Sequence, residues 1–220
     1  MKRIIFAVMA VSLLAVNFVN AQEEETKSDN FKRWQVRFRG VGVVPNESAT
    51  IGVIGGDVSI SNALIPELDF TYFFTKNIAA ELILGTAKHD VQAIETAAGT
   101  VDLGSVWLLP PTLTVQYHFL GHKETTFKPY VGAGVNYTLF YNAKSGIVKD
   151  VSYDNALGYA AQLGFDLMLD DKFFINMDVK HIFLSTDATV DASNLVPDLR
   201  IPAEVDINPW LIGIGFGMKF

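Results

Sequence analysis

The sequence contains no cysteine, so neither a disulfide framework nor a thiolate metal site can form. Beyond the N-terminal segment it has no apolar run of roughly eighteen residues, which excludes a transmembrane helix there. Acidic residues outnumber basic ones, 24 against 17, so nucleic acid is not an expected partner. The chain is nevertheless 50% hydrophobic. High hydrophobicity without a spanning helix leaves a soluble β-sandwich or a closed membrane barrel.

The N-terminal segment has the residue order of a secretory signal. Lys2 and Arg3 precede an apolar run over 4–16, and Ala21 stands just before a charged stretch. We expect a signal peptide over residues 1–21, cleaved after Ala21. An uncleaved anchor is the alternative, but the run is shorter than the roughly 20 residues that a spanning helix needs. Residues 22–220 are expected to form one outer-membrane barrel domain. Its first residues, 22–32, are expected to be a flexible periplasmic leader.

The last eleven residues predict a strand with one apolar face. Apolar side chains alternate with glycines and Lys219, and they are Trp210, Ile212, Ile214, Phe216, Met218 and Phe220. No further segment follows to cover this face, so lipid is the expected cover. At roughly 3.3 Å per residue and a tilt near 40°, the strand rises about 25 Å, the thickness of an outer-membrane apolar band. Trp210, Phe216 and Phe220 are the predicted girdle residues, and the barrel-assembly machinery is expected to recognise this strand.

Seven further segments show the same alternation. The eight predicted strands cover 34–44, 66–75, 78–89, 109–119, 129–141, 153–169, 173–184 and 210–220. Their connections run long, short, long, short, medium, short, long. Outer-membrane barrels have long extracellular loops and short periplasmic turns, whereas a sandwich has no reason to sort its loops in this way. The expected fold is therefore all-β, an eight-stranded antiparallel transmembrane β-barrel with both termini in the periplasm.

The lower half of the predicted lumen is polar. An eight-stranded barrel is narrow, so its interior is filled by side chains or holds one small ligand. Strand direction and parity place a set of charged and polar residues towards the periplasm: Arg37, Glu81, His118, Asp166, Asp178 and Lys219, with Gln116 and Asn176. Opposite charges in a confined space should pair, because an unpaired buried charge is costly. We interpret this set as a polar plug.

The upper half of the predicted lumen is apolar, which is unusual for a barrel interior. The inward residues there are Val41, Val43, Ile83, Phe140, Ile182, Leu184 and Leu211, with Val205 and Ile207. One interpretation is a small hydrophobic core beneath the loops. The other is a path for a small apolar molecule that enters from outside, meets the charged plug and leaves sideways into the bilayer.

Catalytic and metal-binding arrangements are not expected. His118 and His122 have a spacing that suits a helical metal site, but alternation places His118 on a strand end and His122 in a turn. His89 lies beside Asp90 at an extracellular strand end, yet no serine or second acidic partner is fixed by spacing. The sequence therefore predicts no enzyme, no metal and no cofactor.

Five stretches carry a family resemblance. They begin with Trp-Gln-Val-Arg at 34–37 and continue through 68–81, 109–119, the Pro-Tyr-Val-Gly-Ala-Gly stretch within 129–137, and 208–220. In this order they resemble the OmpW family of small outer-membrane barrels. The resemblance implies an eight-stranded barrel whose apolar channel passes small hydrophobic molecules and releases them laterally.

The expected function is an outer-membrane channel for small hydrophobic molecules, which enter an apolar upper lumen and leave laterally. The alternative is a surface receptor or interaction protein that acts through its loops while the lumen is closed. Expected partners are outer-membrane lipids, a small hydrophobic ligand and the barrel-assembly machinery.

Overall fold

A computed structural model describes residues 31–52, 54–121 and 123–220 of the chain. The strands up to the chain centre are β1 (Trp34–Val44), β2 (Ser48–Ile51), β3 (Asp57–Ile60), β4 (Ala63–Phe73), β5 (Ile78–Gly85), β6 (Ala87–Thr96), β7 (Gly99–Leu109) and β8 (Thr112–His118). Those that follow are β9 (Phe127–Lys144), β10 (Asp150–Tyr153), β11 (Ala156–Met168), β12 (Phe173–Phe183), β13 (Ser185–Asp191), β14 (Arg200–Asp206) and β15 (Trp210–Lys219). Within the described ranges, no helix has the length and apolar character needed to span a membrane. The predicted signal peptide, residues 22–30 of the predicted leader and His122 lie outside the described residues.

Eight of these strands close into an antiparallel barrel. Their order around the barrel is β1, β4, β5, β8, β9, β11, β12 and β15. β15 pairs with both β12 and β1, which joins the last strand of the chain to the first. Where they meet, the main chains of Trp34 and Phe220 exchange hydrogen bonds of 3.0 and 2.9 Å. The prediction of an eight-stranded antiparallel barrel is confirmed.

Alternation along the strands sorts polar side chains to the interior and apolar ones to the exterior. In β4, Glu67 and Asp69 are buried, while Leu68 and Phe70 expose 38% and 41% of their surface. In β15 the outward Phe216 exposes 68%. Such a belt is unfavourable in water and is the outer surface that a lipid bilayer covers.

Short turns join the strands at the periplasmic end. They cover 74–77, 119–126 and 169–172. In the third turn a carboxylate oxygen of Asp170 accepts main-chain hydrogen bonds from Phe173 (2.6 Å) and Lys172 (2.7 Å). These bonds lower the pKa of Asp170, because they favour the charged carboxylate. One side chain thus holds the tight turn between β11 and β12 in place.

At the extracellular end, much of the length of the predicted loops forms β-strands. β2, β14, β13 and β10 form one sheet, while β3, β6, β7 and the upper part of β9 form another. The long connections expected between the barrel strands, over 46–65, 90–107 and 185–203, therefore contain strands for much of their length. The strand predicted to end at His89 continues in β6 to Thr96. The physical reason is that each of these segments extends the hydrogen-bonded ladder of a barrel strand beyond the membrane.

The two extracellular sheets cover an apolar core at the upper end of the barrel. Their inward residues, such as Val91 in β6 and Val190 in β13, belong to one buried cluster together with Val43 and Leu211 of the barrel. The outward residues of the same strands are mostly polar and exposed. The buried side chains of the described residues are thus polar in the lower lumen and apolar in the upper lumen.

Candidate functional site

The lower lumen is filled by a network of buried ion pairs. Arg37 projects from β1 and forms an ion pair with Glu81 of β5, and its other nitrogen lies 3.4 Å from Asp166 of β11. Gln116 donates to the second oxygen of Glu81 at 2.6 Å, and Gln162 does so at 3.0 Å. All five side chains are buried. The network therefore links β1, β5, β8 and β11 across the lumen.

A second cluster lies one layer higher and is centred on Arg39. Its guanidinium lies 2.9 Å from Glu67, 2.7 Å from Asp69 and 2.5 Å from Asp178. Lys180 of β12 adds a contact of 2.9 Å to Glu67 and one of 3.3 Å to Asp178. Of these five residues only Asp178 is in the plug predicted from sequence. The sequence does contain a signal for Lys180. It has the same parity along β12 as Asp178 and Ile182, which are predicted to face the lumen.

Aromatic rings close the plug at its periplasmic side. The ring of His118 packs between those of Phe73 and Tyr130, with centroids 4.8 and 5.0 Å away. The ammonium group of Lys219 lies 5.5 Å from the ring centroids of both Phe73 and Phe174. His118 and Lys219 therefore belong to the plug, where the sequence places them, but they contact aromatic rings rather than carboxylates.

Inward glycines make room for these rings. A Cβ atom at Gly164 would lie 2.5 Å from the hydroxyl oxygen of Tyr130, and one at Gly217 would overlap the ring of Phe174. Gly164 and Gly217 thus serve the packing of the plug, which is closed by bulky side chains.

A small cavity of about 60 Å³ lies directly above the plug. Five of the predicted apolar lumen residues line it: Val43, Ile83, Ile182, Leu184 and Leu211. Glu67, Lys180 and Asn136 provide its polar floor. Val41 is buried in the same apolar cluster but is not among the residues that line the cavity. The sequence pattern therefore brings six of its seven apolar candidates together at this level.

A larger cavity of about 370 Å³ lies higher, between the two extracellular sheets. Its lining is almost entirely apolar and includes the seventh candidate, Phe140. The Phe140 ring stacks on that of Tyr153, with centroids 5.5 Å apart and planes at 17°. Phe140 lies in the upper part of β9, beyond its pairing with β11, and Tyr153 ends β10, an edge strand of the other sheet. This aromatic pair thus bridges the two sheets along one side of the cavity.

His89, Leu108 and Ile207 line both cavities and therefore lie at the boundary between them. The Nδ1–H of His89 donates to the main-chain oxygen of Ser61 at 2.6 Å, which fixes the orientation of the ring. Burial lowers the pKa of His89, partly offset by the Ser61 bond and by the negative charge of Asp90. The boundary between the two cavities accordingly carries an imidazole that is neutral at neutral pH.

The backbone ladder between β5 and β8 is interrupted beside the lower cavity. Ile83 pairs with Thr112, and pairing resumes above at Ala87 and Leu108 in the same register. That register sets Pro110 opposite Gly85, and proline has no N–H to donate. The Pro110 oxygen accepts from the side chains of Thr112 (3.0 Å) and Asn136 (3.2 Å) instead.

Gly85 and Pro110 both line the lower cavity. The wall segment without backbone pairing therefore lies between this cavity and the surface of the barrel. We call it the Gly85–Pro110 seam.

A closed eight-stranded barrel with a lipid-facing belt and a filled lower lumen defines the class as an integral outer-membrane β-barrel. Comparison with known proteins agrees. The chain belongs to the OmpW family, whose family model matches residues 33–220.

Relatives and solved structures extend this assignment. The chain is 50% identical over 190 residues to the uncharacterized outer-membrane protein y4mB of Sinorhizobium fredii, covering 85% of this chain and 80% of that protein. It is 31% identical to Outer membrane protein W of Escherichia coli over the full length of both chains. The crystal structure of the outer membrane protein OprG from Pseudomonas aeruginosa is similar with a TM-score of 0.80 and 28% identity, covering 86% of this chain and 96% of that one. The protein is thus located in the outer membrane, with its barrel in the lipid bilayer.

Proposed function

We propose that the protein is a channel for small hydrophobic molecules, which enter the upper cavity and leave laterally into the outer membrane. The observation that carries this proposal is the pair of apolar cavities stacked on a charged, filled plug. A cavity of about 370 Å³ with apolar lining is typical of a binding site for a small apolar ligand. The same residues also pack as a core, which the sequence leaves as the alternative, but a core filled to native density has few voids larger than a water molecule.

The plug makes passage straight through the lumen unfavourable for such a ligand. Crossing it requires separation of Arg39 from Asp178 and of Arg37 from Glu81, and breaking a buried ion pair costs about 3–5 kcal/mol. An apolar molecule offers no hydrogen bonds to replace those contacts. The lower cavity therefore needs another exit.

The Gly85–Pro110 seam is the exit we propose. It borders the lower cavity, it lacks a backbone donor at Pro110, and Leu109 beside it is exposed on the outer surface of the barrel. Opening it does not require a ladder hydrogen bond from Pro110 to be broken. Transfer from the cavity to the bilayer also keeps an apolar molecule out of water throughout.

Flux into proteoliposomes tests the channel. The refolded protein should transfer a small apolar fluorescent tracer faster than a polar tracer of similar size. Leu211→Arg and Phe140→Arg should each reduce apolar transfer about tenfold, because each places a charge in an apolar cavity. Ile147→Arg is the matched control, since Ile147 is exposed and does not line either cavity. Equal transfer of both tracers would indicate a water-filled pore and contradict the proposal.

A surface receptor with a closed lumen is the second candidate. It is favoured by the charged outer face of the extracellular sheets, where Asp187 and Glu204 stand directly opposite each other on β13 and β14. Like charges in a cross-strand pair are unfavourable for the sheet itself, so a binding role would explain them. Under this account, no tracer would be transferred, and shortening the tip over 193–198 would abolish partner binding.

Assembly is a further part of the proposal. β15 ends beside Phe220 and presents Trp210, Phe216 and Phe220 to the lipid. We propose that the barrel-assembly machinery recognises this strand. Phe220→Ala should slow insertion into the outer membrane without changing the stability of protein already folded.

A further inference from the structure

Charge is distributed unequally between the two ends of the barrel. The periplasmic rim carries five cations, which we call the periplasmic collar: Lys32, Arg33, Lys76, Lys123 and Lys172. The same turns hold three acidic residues, and the carboxylate of Asp170 is engaged with main-chain amides. The lumen mouth adds Lys128 and Lys219. Among the residues that the structure describes, the periplasmic end is therefore net positive.

The extracellular end has the opposite charge. The segments over 45–62, 86–108, 142–156 and 184–209 contain 12 acidic residues and 4 basic ones. A whole chain with a formal charge of −7 therefore has a cationic periplasmic end. This cationic collar cannot be a consequence of overall composition, which is acidic.

The collar lies beside outward-facing aromatic rings. The ammonium of Lys172 lies 5.5 Å from the ring centroid of Phe173, which faces outward and is exposed. A guanidinium nitrogen of Arg33 donates to the main-chain oxygen of Phe74 at 2.9 Å, beside another outward ring. Aromatic girdles mark the membrane interface of barrels, and basic residues just beyond an interface attract anionic lipids.

The collar is also continuous around part of the rim. Lys32 donates to the main-chain oxygen of Asp171 at 2.7 Å, which joins the start of β1 to the β11–β12 turn that carries Lys172. On the other side, Gly121 packs against the main chain of Lys76, which brings the β8–β9 turn with Lys123 to the β4–β5 turn. An arc of cations thus follows the membrane edge from β12 to β8.

We propose that the periplasmic collar binds the phosphate headgroups of anionic phospholipids in the inner leaflet of the outer membrane. The proposal is independent of the channel function, since no collar residue lines either cavity. Binding fixes the depth and orientation of the barrel, because the acidic extracellular end has no comparable attraction for such lipids.

Lipid retention measured by native mass spectrometry tests this. The full mature chain is refolded in an equimolar mixture of phosphatidylglycerol and phosphatidylethanolamine and then released from it. We expect about fivefold more phosphatidylglycerol than phosphatidylethanolamine on the barrel. The quadruple variant Lys32→Gln, Lys76→Gln, Lys123→Gln and Lys172→Gln should lose this preference. The matched control, Lys88→Gln, Lys144→Gln, Lys149→Gln and Arg200→Gln, removes the four extracellular cations and should retain it.

Three results would overturn the proposal. The wild-type protein could retain both lipids equally, both variants could lose the preference for phosphatidylglycerol, or both variants could keep that preference. If the collar variant does not fold, the wild-type protein still tests the proposal. At 0.5 M NaCl, screening of the charges should reduce phosphatidylglycerol retention to the level of phosphatidylethanolamine. Residues 22–30 are rich in acidic side chains. If the intact chain shows no lipid preference but gains one when these residues are removed, the collar binds this segment and not lipid.

Discussion

Arg39 Nη1 lies 2.5 Å from Asp178 Oδ2, which joins β1 to β12 over the intervening strand β15. Glycines in β15 make this contact possible. A Cβ atom at Gly213 would lie 2.9 Å from the other carboxylate oxygen of Asp178, and one at Gly215 would lie 2.8 Å from Cγ of Arg39. This salt bridge therefore spans three strands of the plug. It requires the small residues Gly213 and Gly215 beneath it.

Arg39→Gln should destabilise the barrel strongly. The substitution leaves Glu67, Asp69 and Asp178 buried with one cation fewer, and removal of one partner from a buried pair costs about 3–5 kcal/mol. Urea unfolding in lipid vesicles, followed by tryptophan fluorescence, measures the change in free energy.

The matched control for Arg39 is Lys88→Gln. Lys88 lies 3.5 Å from Asp90, but both side chains are substantially exposed. Exposed pairs contribute little, so we expect a change within about 0.5 kcal/mol. A similar loss in both variants would contradict the account of the plug.

Gly217→Ala should also destabilise the barrel, by about 1–3 kcal/mol, because its Cβ atom would overlap the ring of Phe174. Gly40→Ala is the control, since a Cβ atom there meets no atom within 4 Å. Adding Phe174→Leu to Gly217→Ala should recover part of the loss. Unfolding midpoints of the four proteins test this, and the absence of any recovery would mean that the ring is not the cause.

The extracellular sheets should loosen at acid pH. Burial lowers the pKa of His89 below its ordinary value of 6.5, so the unfolded segment binds more protons than the folded one in acid. The stabilising contribution is therefore present above pH 6.5 and is lost as the pH falls below it. Asp90 and Glu47 oppose the shift without reversing it.

Amide exchange measures this effect. The Ser61 amide donates to the Asp90 oxygen at 3.0 Å, and the Asp90 amide donates to the Ser61 hydroxyl at 2.9 Å. Protection factors of both amides should fall between pH 7.5 and pH 5.5 in the wild-type protein and remain level in His89→Gln. An equal fall in both proteins would assign the pH dependence to another group.

Much of the barrel could be predicted from the sequence because strand alternation is a local property. Glu81 and Ile83 share a parity, and both lie inside the barrel as expected. The pairing of charges could not be predicted in this way. It depends on strand register, which sets Arg39 opposite Glu67 on β4 and brings Asp178 within reach from β12.

The extracellular strands are absent from the sequence prediction for a different reason. Their segments contain glycines, which indicate turns, and Gly55, Gly56, Gly99 and Gly104 do have positive φ. Yet β6 alternates clearly, with Val91 and Ala93 inside and Gln92 outside. That period was detectable, whereas the cavity between the sheets depends on how they pack and has no local signal.

Lateral exit is the central claim, and transfer by the Pro110→Ala variant tests it most directly. The Tyr137 amide donates to the Pro111 oxygen at 3.1 Å, so Pro111 is turned towards β9 and the adjacent Pro110 towards β5. Pro110→Ala therefore supplies an N–H that faces Gly85 and closes the seam, whereas Pro111→Ala, the matched control, supplies one that faces β9. We predict that apolar tracer transfer falls about fivefold or more in Pro110→Ala and is unchanged in Pro111→Ala. Wild-type transfer in Pro110→Ala, with folding intact, would contradict exit through the seam.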